Sequence, residues 1–180
     1  MSTSKERRFE DLVEVIRNAP NAEEVREAAI LLGDLGDIRA VPHLIDLLNN
    51  AKTHIIWDGA AIGLRELADQ RAFWPLVHKL QDNRTLDHRG TLAFALSSFN
   101  CTDIVEFLVD MYISESYEVQ IEIRSCFDNI DINEIKEDLR HKMISKVKAA
   151  FKNEKDSQKK IELRYFLEDI LYNNSDGFAM

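Results

Sequence analysis

The chain has 180 residues, 45% of them apolar and 31% charged, the composition of a folded chain and not of a disordered one. A chain of this length buries roughly 70% of its unfolded surface, so its core needs neither disulfides nor a metal to close. Six Gly and three Pro are too few for a β-rich or linker-rich protein, and a net charge of −9 opposes general affinity for a nucleic-acid backbone or an anionic membrane.

The amino terminus, MSTSKERRFEDL, is polar and lacks the apolar core of an export signal. No stretch approaches the ~18 apolar residues of a membrane span. The expectation is a cytoplasmic chain with no membrane contact. Residues 1–22 read as an amino-terminal capping helix, with Phe9, Leu12, Val13 and Ile16 on one stripe and Thr3-x-x-Glu6 in the form of a capping box. Pro20 and Asn21 end it, and Asn21-x-x-Glu24 has the form of a cap for the next helix.

From there the chain repeats itself. EVREAAILLGDLGDIRAVPHLIDLL aligns with IWDGAAIGLRELADQRAFWPLVHKL thirty-two residues later. Ala28 and Ala29 match Ala60 and Ala61, Leu32 matches Leu64, and Asp37 and Arg39 match Asp69 and Arg71. A second step reaches HRGTLAFALSSFNCTDIVEFLVDMY, where identity fades but apolar spacing survives. Each copy holds two runs with apolar residues at i, i+3, i+4 and i+7, the stripe of a helix, separated by a short turn. Repeats are therefore predicted over 23–50, 54–82 and 87–114, each a helical hairpin that covers its apolar faces only by stacking on a neighbour. The alanine pairs let first helices approach closely, and Trp57 falls in a core slot.

Beyond Ser116 the register is weaker. A degenerate repeat is predicted over 117–153, with Val119, Ile123, Phe127 and Ile130 on its first helix and a capping box at Asp131-x-x-Glu134 opening the second. A carboxy-terminal capping helix over 157–172 carries Ile161, Leu163, Phe166, Leu167, Ile170 and Leu171, followed by a frayed tail, 173–180. The expected fold class is all-α, an α-solenoid forming one domain over 1–180.

The segment LLGDLGDIRAVPHLIDLL, Leu31 to Leu48, resembles the HEAT-repeat family, in particular the short bacterial repeats of phycobilisome-lyase type. In such repeats Leu-Gly-x-Leu-Gly ends the first helix, Asp begins the turn and Ala-Val-Pro-x-Leu opens the second. The second copy departs from this at Arg65 and Ala68, and the third has lost Gly, Pro and the turn Asp. The resemblance implies a right-handed superhelix whose second helices line a concave side. It says little of function, because such repeats serve scaffolds, lyases, inhibitors and DNA-repair enzymes.

Aligned second helices place Pro42, Trp74 and Glu106 in one outward row, Asp46, His78 and Asp110 in another, and Asn50, Asp82 and Ser114 in a third. The candidate partner-binding residues are Asp46, Trp74, His78, Asp82, Glu106 and Asp110: an acidic face with an aromatic anchor, suited to a basic protein. His78 and Asp82 lie one helical turn apart, but no second His is near, so no metal site is expected. Asp37 with Arg39 and Asp69 with Arg71 are expected to make hydrogen bonds or ion pairs along the stack. His43, His54, His88 and His141 form no constellation in sequence, and Cys101 and Cys126, with no Cys-x-x-Cys, read as reduced, inert thiols.

Charge is uneven. Residues 1–130 hold 13 basic and 22 acidic side chains, and residues 131–160 hold 9 and 6. The Lys-rich stretch 142–160 lacks interleaved exposed aromatics, which disfavours nucleic acid. Without a phosphate loop or a nucleophile elbow, the chain reads as a non-enzymatic binding module with no cofactor and no small-molecule substrate. Its sharper form is an acidic antagonist of a basic, toxin-like partner, as in immunity proteins that neutralise nucleases. The alternatives are a scaffold or assembly chaperone, or a bilin lyase-like enzyme.

Overall fold

A computed structural model describes residues 4–171. Among them the chain forms ten α-helices joined by short turns and no strand. The all-α, solenoid-like fold expected from the periodicity is the fold observed. The chain divides into two compact units, 1–99 and 100–180.

The first unit holds α1 (Ser4–Asn18), α2 (Ala22–Asp34), α3 (Ala40–Asn50), α4 (His54–Leu67), α5 (Phe73–Gln81) and α6 (Arg89–Leu96). Helix α1 packs on α2 and α3, α2 on α4, α4 on α6, and α3 on α5. First helices thus stack on first helices and second on second, as a hairpin repeat requires. The stripe residues Leu32, Leu44, Leu48, Leu64, Leu76 and Leu80 are fully buried, and so are Ala29, Ala60 and Ala61.

Helices α2 and α4 meet more closely than the alanine pairs alone imply. A methyl group on Gly33 would lie 2.6 Å from the Gly63 Cα, and one on Gly59 would lie 2.7 Å from the Arg26 carbonyl oxygen. At Gly63 it would collide with the carbonyl oxygen of Ala29. The two helices meet backbone to backbone, and at these three positions no side chain larger than hydrogen fits.

Helices α2 and α4 end alike. Gly36 (φ 63°) and Ala68 (φ 46°), one repeat apart, both take the left-handed conformation. The Ala68 N–H donates to the carbonyls of Leu64 and Arg65 at 3.0 and 3.2 Å, closing the last turn. Asn21 caps α2, its side-chain oxygen accepting from the Glu23 N–H at 2.9 Å.

The second unit holds α7 (Val105–Ser114), α8 (Tyr117–Cys126), α9 (Glu137–Asn153) and α10 (Ser157–Tyr165), followed by a π-helical turn, Phe166–Leu171. Helix α7 packs on α8 and α9, and α10 on α8 and α9. Tyr112 is fully buried, stacks on Phe166 with ring centres 4.3 Å apart, and donates its hydroxyl to the Glu162 carbonyl at 3.0 Å. Gln120, also buried, donates to the Tyr112 carbonyl at 2.6 Å.

The predicted third repeat, 87–114, has its two helices, α6 and α7, in different units. The expected capping box at Asp131 does not open a helix. Asp131 accepts from the Asn133 N–H at 2.9 Å within a turn, and α9 begins six residues later, at Glu137. Thr3 and the tail 173–180 lie outside the described residues, as do the side chains of Ile170 and Leu171.

Three substitutions probe this packing by urea unfolding. Gly63→Ala is expected to destabilise by about 1–3 kcal/mol, because backbone cannot move aside as a side chain can. Leu44→Ala should cost about 2–5 kcal/mol through a core cavity. Ala68→Gly should stabilise by about 1 kcal/mol, removing the Cβ penalty of the left-handed conformation.

Candidate functional site

Of the residues expected to meet a partner, Asp46, Trp74, His78 and Asp82 lie in the first unit, and Glu106 and Asp110 in the second. Each unit's set has its own chemistry.

In the first unit, α3 carries Asp46 and α5 carries Trp74 and His78, all three exposed. The opposite stripe of α5, with Phe73, Leu76, Val77 and Leu80, is buried, and this turns Trp74 and His78 outward. Trp74 is 48% exposed despite its size, the largest side chain so displayed among the described residues. Its ring meets Phe73 edge-on at 5.1 Å and lies 6.1 Å from the His78 ring, so its base is anchored and its outer face is free to water. Asp46 accepts a hydrogen bond from the Asn50 amide at 2.8 Å. It also borders a cleft of about 410 Å³ lined by Ile16, Arg17, His43 and Leu47. Burial, then the nearby Arg17, lowers the His43 pKa, and Asp46 opposes both.

Asp82 has a different role. Its carboxylate accepts from the Arg84 N–H at 2.9 Å and pairs with the Arg84 guanidinium at 2.6 Å, capping a 3-10 turn over Asn83–His88. This is the third occurrence of the Asp-x-Arg turn seen at Asp37–Arg39 and Asp69–Arg71. In each, the aspartate accepts from both the backbone and the side chain of the arginine two residues on. Two of the arginines reach back along the stack. Arg39 grips Glu6 of α1 at 2.8 and 3.1 Å and covers the Phe9 ring at 4.6 Å, and Arg71 donates to the Ile38 carbonyl at 3.3 Å. The hydrogen bonds expected of Asp37 and Asp69 are present, and the same spacing marks Asp82 as a turn residue.

In the second unit the acidic row meets the Lys-rich helix of the same chain. Lys146 on α9 bridges Glu106 at 3.0 Å and Asp110 at 2.6 Å on α7, and Lys142 also pairs with Glu106. These contacts lower the Glu106 pKa, Lys142 first, and raise that of Lys146, Asp110 first. The expected acidic face is therefore neutralised here from within.

Three groupings had no sign in the sequence. His54 and His88 stack nearly parallel with ring centres 3.9 Å apart, beside Asp58, whose carboxyl is raised by burial against the pull of both imidazoles. Lys79 is buried with its ammonium 4.2 Å above the Trp57 ring, and burial lowers its pKa. Cys101 and Cys126 are both buried and are hydrogen-bonding neighbours; that contact and then burial push the Cys126 thiol well above its usual range. Each pair is joined across separate elements, so sequence spacing carries no signal of it. Among the described residues no cluster of three or more His, Cys, Asp or Glu is arranged to hold a metal ion.

The Asp-x-Arg turns set an acid limit on stability. Asp37, Asp69 and Asp82 are each lowered from 3.8 to about 2, chiefly by the side-chain hydrogen bond from the paired arginine. A carboxylate with a lowered folded pKa contributes stability above its unfolded pKa and loses it as pH falls through the folded one. Urea midpoints should therefore fall as pH drops from about 4 toward about 2. In the triple Asp→Asn variant that fall should be shallower, with a lower midpoint at neutral pH.

No curated protein matches the sequence. Residues 25–50, which span α2 and α3, match the family model described as PBS lyase HEAT-like repeat. The match falls on the first of the stacked hairpins, which is similar to a HEAT-like repeat.

Proposed function

We propose that the protein is a binding module that masks a basic partner protein, with the exposed face of α3 and α5 as its contact surface. The observation that carries this reading is Trp74, half exposed on a rigid helix beside His78, with the exposed carboxylate of Asp46 on the adjoining helix. A rigid aromatic anchor loses little entropy on binding, and tryptophan is enriched among residues that dominate interface energetics. A net charge of −9 adds long-range attraction for a cationic partner. A nuclease toxin is one such partner, since it must be cationic where it holds phosphates, and an immunity-type antagonist would bind there. Asp82, Glu106 and Asp110 contribute less than their position in the repeat implies, because arginine or lysine of the same chain already pairs with each.

The bilin-lyase alternative needs an activated thiol open to a tetrapyrrole. Cys101 and Cys126 are both buried, and the Cys126 thiol is driven away from the thiolate form. A scaffold role uses the same surface and differs in what it holds.

Affinity purification with quantitative mass spectrometry should recover one basic protein in stoichiometric amount; a set of many complex subunits would favour the scaffold. Trp74→Ala should weaken that complex by at least about 2 kcal/mol, mainly through faster dissociation. Asp46→Lys should slow association and flatten its salt dependence. Unchanged binding in both variants, with unchanged melting curves, would place the interface elsewhere.

A further inference from the structure

The two cysteines of this chain stand far apart in sequence, yet the topology of the second unit brings them together. Helices α7 and α8 are joined by a two-residue turn, Glu115–Ser116, and pack on each other. The end of α8 therefore returns to the start of α7. Cys126 is the last residue of α8, and Cys101 opens the 3-10 turn Thr102–Ile104 that leads into α7. Both side chains are fully buried, and their thiols share a hydrogen-bonding contact. Cys126 also directs its thiol to the Glu122 carbonyl at 3.7 Å.

We propose that Cys101 and Cys126 are a reversible dithiol–disulfide site, which on oxidation ties the turn before α7 to the end of α8. The oxidant class is a peroxide, small enough to enter a briefly opened turn. One thiolate attacks a peroxide oxygen, the O–O bond breaks, and hydroxide leaves, giving a sulfenic acid. The neighbouring sulfur then attacks the oxidised one, the S–O bond breaks, and the hydroxyl leaves as water while the disulfide forms. In sum, two thiols and one hydrogen peroxide give one disulfide and two waters; two equivalents of a small thiol reverse it. Cys101 is the first to react, because it lies in the short 3-10 connection before α7, where the Ile104 N–H donates to the Cys101 carbonyl at 3.1 Å and the Thr102 N–H to the Asn100 side chain at 2.9 Å. Cys126 sits at the end of a continuous helix. Burial makes the reaction slow and ties its rate to opening of that turn.

The test treats the full-length chain with hydrogen peroxide, in buffer and in urea just below the unfolding transition. Remaining thiols are then alkylated, and intact mass and non-reduced peptides are read. The expected product is a monomer that has lost two hydrogens, carries a linked Cys101–Cys126 peptide pair, and regains both thiols with dithiothreitol. It should form faster in the urea sample. Cys101→Ser should give no internal disulfide and should gain oxygen at Cys126 instead. Oxygen added separately to each sulfur of the unaltered chain, disulfide-linked dimers as the main product, or two free thiols persisting in the urea sample would each overturn the proposal.

Discussion

The close approach of α2 and α4 is the constraint on which the first unit depends. At their crossing the backbones are separated by hydrogen atoms alone at Gly33, Gly59 and Gly63, and Ala29 and Ala60 on the same helices are fully buried. Packing at this distance brings many backbone and Cβ atoms into dispersion range, and at Gly33 an added methyl would meet only the backbone of Gly63, which cannot turn aside. Leu44 of α3 closes over the Gly63 position, so the seam between the first helices also supports the helix that carries Asp46. The proposed contact surface is in this way held on helices whose register is set by the core.

The Asp-x-Arg turns act on the same stack from its edge. Each aspartate caps the short turn that starts a second helix or follows it, and the arginines at 39 and 71 extend to the preceding layer. Exposed ion pairs of this kind contribute little individually. Their use here is geometric: the aspartate accepts from backbone and guanidinium together, so the turn and the arginine are oriented as one group. At Asp82 the same arrangement takes a carboxylate that the repeat alignment assigns to the outer face and commits it to a turn.

Charge is distributed by the same logic. In the second unit, lysines of α9 lie on the carboxylates of α7, so the cationic stretch and the acidic row cancel locally. In the first unit no ion pair engages Asp46 among the described residues. A net charge for the chain as a whole thus hides two different surfaces, one already satisfied and one still able to attract.

The sequence by itself determined the helical class, the thirty-two-residue step of the first unit and the apolar stripes that line its core, because apolar spacing and that step depend only on local helix geometry and on burial of one face. It also marked Trp74 and Asp46 as outward-facing. It misplaced the start of α9, because an Asp-x-x-Glu pattern at Asp131 and Glu134 serves a turn as well as a helix end. Only the tertiary structure decided which charges are free and which are paired, that Gly33 meets Gly63, that His54 stacks on His88, and that Cys101 and Cys126 share one buried site. Those meetings join residues through the return of one helix alongside another. Their partners are set by crossing distance and side-chain reach, which periodicity along a single helix does not encode.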